Sequence, residues 1–79
     1  MKFLTFLKEK FEAWRQKKLA AIRSDIASRE EMIRQCDAEC ELDISLNEMC
    51  QRSTAIQINA EEIDILRDCE RFYESIAFA

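Results

Sequence analysis

Residues 41–48 read ELDISLNE, and this stretch decides whether the chain is one very long helix or a folded pair. Cys40, Leu42, Ile44 and Leu46 alternate through it, which interrupts the three-and-four spacing of an amphipathic helix. Ser45 and Glu48 then stand at the positions of a capping box, where the Ser hydroxyl accepts the backbone N–H at the third helical position and the Glu reaches back to the cap amide. Ile44 and Met49 occupy the two sites of a hydrophobic staple. Ser28 with Glu31 and Asn59 with Glu62 repeat the same spacing, but only Ser45 coincides with a broken rhythm. A turn is therefore expected at 42–45, between a first helix from Phe3 to Glu41 and a second from Leu46 to Ile76, with 46–78 as its outer bounds.

Composition agrees with two helices and few joints. The 79 residues include no Gly and no Pro, the residues that most turns and hairpin loops require. Asp25 with Arg29, Glu30 with Arg34 and Glu48 with Arg52 place an acid four residues before a base, each pair worth a few tenths of a kcal/mol in a helix. The fold class expected is all-α: one domain over 1–79, a long antiparallel hairpin, coiled-coil-like and self-associating into a bundle. Folding back at 42–45 sets Cys36 near Cys50, Ile22 near Ile65 and Leu66, and Trp14 near Tyr73. Phe3 to Leu7 then project past most of the second helix.

The apolar pattern is not that of a simple hairpin. Leu19, Ile22, Ile26, Ile33, Cys36 and Cys40 share one stripe through 19–41, interrupted by Arg29. Leu4, Leu7, Phe11 and Trp14 form another in the basic segment 1–18, displaced by roughly 70° on an ideal helix. Either the helix bends near residues 15–18 or its first turns contact something different. The second helix repeats the conflict: Ile56, Ala60 and Ile63 continue a face begun by Leu46 and Met49, whereas Ile58, Ile65, Cys69, Phe72 and Ile76 mark nearly the opposite face. Two faces of one segment call for burial. A break near Asn59 making a third helix would serve; so would self-association through Ile56, Ile58, Ile63, Ile65, Phe72 and Ile76, as a dimer in an antiparallel or four-helix arrangement.

Charge is unevenly placed. Residues 1–23 carry seven Lys/Arg against Glu9 and Glu12, and the remainder carries five Arg against fourteen acids. The acidic body opposes nucleic-acid binding by the basic patch, and no nucleic-acid-binding motif accompanies it. Without His or Gly the chain has no Cys–His or Ser–His couple and no phosphate-cradling loop, so no enzyme is expected. Cys36 and Cys40 could share an ion, yet Cys50 and Cys69 lie too far apart for the usual paired zinc ligands. No metal or cofactor is expected, and the thiols are read as reduced, small apolar core residues, although a Cys36–Cys50 bridge is geometrically conceivable. No apolar stretch approaches a membrane span or a signal-peptide core, which makes the cytoplasm the expected compartment.

The first 18 residues carry the functional expectation. Phe3, Leu4, Phe6, Leu7, Phe11 and Trp14 form a wide apolar arc, edged by Lys8, Lys10, Arg15 and Lys17, with Lys18 beyond them. Such a helix can close the end of its own bundle on Tyr73, Ile76 and Phe78. It can also enter a groove on a partner protein through its apolar anchors, with Lys8, Lys10, Lys17 and Lys18 giving orientation and on-rate. The alternative is an anionic membrane surface, where aromatic residues insert shallowly and basic ones meet headgroups. The expected function is a non-catalytic protein–protein interaction module, a small regulator or inhibitor of the kind that phages and mobile elements carry.

Overall fold

A computed structural model describes residues 2–77. Helix α1 runs from Lys2 to Cys40 and helix α2 from Leu46 to Ser75, packed antiparallel into a rod with extents of 66 × 15 × 12 Å. The chain is thus the all-α hairpin expected from the sequence. Phe78, one of the residues expected to close the open end, lies outside the described residues.

The turn forms where the rhythm broke. Glu41 N–H donates to Ala38 O at 3.2 Å and Leu42 N–H to Glu39 O at 3.1 Å, three-residue bonds that tighten and end α1. Ser45 has the extended backbone of a cap and accepts from Glu48 N–H at 3.2 Å. The carboxylate of Glu48 accepts from the Ser45 hydroxyl at 3.2 Å, rather than reaching the cap amide as the reciprocal box would have it. The reversal uses no residue of positive φ among those described, which is how a chain without Gly can make it. An Arg52–Glu39 ion pair ties the helices just above the turn.

Helix α2 is continuous through Asn59, so the third-helix variant is not formed. Asn59 is buried, donating from Nδ2 to Ala55 O at 2.9 Å and accepting from Arg29 Nη1 at 3.2 Å. The polar interruptions of the two helices fall at one level and satisfy each other. Arg29 Nε lies 3.2 Å from Asp25 Oδ1, but off the line of a hydrogen bond, so that N–H is buried without an acceptor. The fully apolar interior is small: Leu19, Ile26 and Ile63 are buried, with Ile22, Ile33, Ile56 and Leu66 half-buried along the same seam.

The seam explains both conflicts in the pattern. On α1 it passes through Leu7, Phe11, Arg15 and Leu19, consecutive four-residue steps that each advance roughly 40° round the helix. The displaced stripes are therefore joined within one uninterrupted helix, with Arg15 at the crossing. On α2 the seam lies between the two competing faces: Ile63 is buried and Ile56 half-buried, whereas Ile58, Ile65 and Phe72 remain exposed. The six residues expected to self-associate are thus divided, Ile63 and Ile56 being used within the hairpin.

Helix α2 stops at Ser75, one residue short of Ile76. Its final carbonyls are satisfied: Phe72 O accepts from Ile76 N–H at 3.1 Å and from Ser75 Oγ at 3.0 Å, and Arg15 Nη1 donates to Tyr73 O at 3.2 Å and Glu74 O at 3.3 Å. α2 has no basic residue in its last turn. Arg15 supplies from the facing helix the cation that favours a helix C-terminus.

Candidate functional site

The open end of the hairpin holds the residues from Phe3 to Trp14 that were expected to bind a partner, with Lys17 and Lys18 further along α1. Trp14 meets Tyr73 edge-on, ring centroids 5.5 Å apart, as the hairpin register requires. Phe11 stands 5.7 Å from Trp14 and Phe72 stands 5.3 Å from Tyr73, so four aromatic rings run from one helix to the other. Because Tyr73 and Glu74 sit across from Arg15, the turns of α1 before Phe11 overrun the end of α2. Phe3, Leu4 and Phe6 on that overhang are 70%, 56% and 52% exposed, while Leu7 and Phe11 are half-buried.

Between the overhang and the end of α2 lies an open groove of about 720 Å³, with Lys8 and Phe11 on one wall and Ile76 and Ala77 on the other. Its polar floor is the Glu12–Arg15 pair. Arg15 Nη2 approaches Glu12 Oε1 at 2.5 Å and Nε approaches Oε2 at 3.0 Å, a forked contact that fixes both groups. Those bonds, together with one from Gln16, hold the Glu12 carboxyl down at about 2 and raise Arg15 above its ordinary value.

The lysines divide by position. Lys10 places its ammonium 5.4 Å from the centre of the Phe6 ring, a cation–π contact on the overhang itself. Lys8 lines the groove, and Lys17 and Lys18 are exposed further along α1. Sequence reasoning missed Arg15 and Arg23 as ties between helices. Arg23 donates to Glu70 at 2.9 Å and Glu74 at 3.0 Å, and these bonds raise its pKa. The signal for Arg15 was its place in the run 7–11–15–19.

The cysteines correct the sequence reading in part. Cys36 and Cys40 are half-buried, but Cys50 and Cys69 are exposed, and all four are free thiols. Exposed Cys50 and Cys69 are therefore not core residues. Among the described residues, no group of three or more Cys, Asp or Glu side chains is placed to hold a metal ion. No helix of the described residues is long and apolar enough to cross a membrane. No protein-family model, no curated protein and no solved structure matches the chain.

Proposed function

We propose that the protein is a non-catalytic helical interaction module, a small regulator or inhibitor that docks on another protein through the overhanging start of α1. The supporting observation is that Phe3, Leu4 and Phe6 stand exposed beyond the end of α2, on a helix that also carries Lys8 and Lys10. Burying a large apolar side chain is worth about 1.5–3 kcal/mol, and three of them on one rigid helix make a set of anchors for a groove. The lysines suit a groove with an acidic rim, because peripheral charges speed and orient encounter more than they tighten it.

The test is capture from the native host with the intact protein and with the triple variant Phe3→Glu, Leu4→Glu, Phe6→Glu, checking helicity of both by circular dichroism. A specific protein held by the first, and weakened at least about 30-fold in the second, is the expected result for residues that act as interface hot spots. Equal retention by both chains would sink the reading. Flotation with phosphatidylserine vesicles runs alongside; the protein is expected to stay unbound, and co-flotation abolished by the same variant would move the function to a membrane surface.

A further inference from the structure

The two broad sides of the rod differ in kind. On one side, Arg23 pairs with Glu70 and Glu74, and Arg67 with Glu30. On the other, Trp14 and Met32 of α1 and Ile58, Ile65 and Phe72 of α2 are between 43% and 57% exposed, with Asp25 and Glu39, seven residues either side of Met32, as the charged members of that side, paired with Arg29 and Arg52. Each of these five lies roughly 100° round its helix from the seam, in the same rotational sense. In an antiparallel pair that sense brings both sets out on one side of the rod. The chain of ring contacts from Trp14 through Tyr73 to Phe72 crosses that side.

We propose that this apolar side is the interface with a second copy of the same chain, stacked with ends exchanged so that α1 lies on α1 and α2 on α2, each pair antiparallel. Three observations select this occupant. The side is symmetric along its length: Trp14 and Phe72 mark the open end, Met32 and Ile58 the turn end, and Ile65 the middle. A twofold axis at Ile65 sets Phe72 on Ile58 of the second copy and Trp14 on its Met32, the self-complementarity that an isologous contact requires. Ile58, Ile65 and Phe72 are spaced by sevens, the repeat of a coiled-coil seam.

Charge selects the direction. Residues 1–23 carry seven bases against two acids, and residues 24–44 carry two bases against seven acids. Exchanged ends lay each basic stretch of α1 on the acidic stretch of the other copy. Stacking like ends together would instead set the basic stretch on residues 61–77, where two of the six acids, Glu70 and Glu74, are already paired within the hairpin with Arg23. It would also bring the two acidic turn ends side by side. Area is sufficient: a side of 66 × 15 Å offers about 1,000 Å² in projection, against about 800 Å² per partner in a standard interface. The apolar contacts make no use of Phe3, Leu4 or Phe6, although Lys8 and Lys10 serve both readings; cross-linking at residue 65 and capture with the triple variant therefore report on the two separately.

Cross-linking tests both the partner and the direction. With Cys36, Cys40, Cys50 and Cys69 all changed to Ala, Ile65→Cys is treated with oxidised glutathione, and Ala60→Cys, on the ion-paired side, serves as control. The expected result is a dimer by sedimentation equilibrium at micromolar concentration, with most of the Ile65→Cys chain disulfide-linked and the control not, since a bridge needs Cα atoms within about 7 Å. A dimer that fails to link at residue 65 has its α2 helices diagonal and overturns the arrangement. A folded monomer, in the parent chain and the Cys-free chain alike, overturns the interface altogether.

Discussion

The seam between the helices and the apolar side of the rod make an unexpected pair. The covered seam contains Arg15, Arg29 and Asn59 along with a few aliphatic residues, while the uncovered side displays Trp14, Met32, Ile58, Ile65 and Phe72. A hairpin normally hides its most apolar stripe. Here α2 has two stripes and turns the arc between them toward α1, half-covering one and leaving the other in the open. The hairpin is therefore held by polar and ionic register marks as well as by burial, and much of its apolar surface stays uncovered.

The comparison is most easily broken by truncation. Leu19, 2% exposed, should cost about 2–5 kcal/mol when changed to Ala, read from urea unfolding at several protein concentrations. Ile65→Ala should cost under about 0.5 kcal/mol at the greatest dilution, as an exposed substitution does, and more as concentration rises. Equal costs at every concentration would erase the distinction between the two surfaces.

The polar level in the seam gives the next largest effect. Asn59→Ala removes the acceptor of Arg29 Nη1 and should destabilise by about 1–3 kcal/mol, the cost of stranding a buried donor. Replacing both Arg29 and Asn59 by Leu should recover that loss or exceed the parent in thermal unfolding. A double variant as weak as the single one would mean that the pair holds the fold and does more than fix its register.

The smallest effect belongs to pH. Glu12 is held near 2, below its ordinary 4.5, first by its bonds from Arg15 and then by Gln16. A carboxylate depressed in the folded state adds stability that is complete above the unfolded value and is lost as pH falls from about 4.5 through about 2. Because Glu12 is solvent-exposed, the effect should be slight and should fade with added salt. Glu12→Gln should flatten the acid limb of the stability curve; an unchanged limb would show that the fork does not couple to folding.

The turn and the register could be read from the sequence because independent signals met there. A short alternation that broke the helical rhythm and the Ser45 cap fixed the joint, and a joint of known length brings Trp14 to Tyr73 with no further information. The choice of seam could not be read in the same way. Helical periodicity gives the angle between two stripes of one helix, but not which angle will face a neighbour. Asn59 shows the limit clearly, since a polar residue in an apolar stripe looks the same as a break or as half of a buried pair. Placing Arg29 and Asn59 at one level of the expected register would have told them apart. The exposure of Phe3, Leu4 and Phe6 was legible because the two helices are unequal in length.

That inequality, with the narrow cross-section, also governs how the particle moves. A body 66 Å long and 15 by 12 Å across turns slowly end over end and quickly about its axis. Stacking a second copy with ends exchanged adds girth and almost no length. Association would therefore slow spinning about the long axis far more than end-over-end tumbling, and would make the particle rounder as its mass doubles. Fluorescence anisotropy decay from Trp14 would register that change of shape directly.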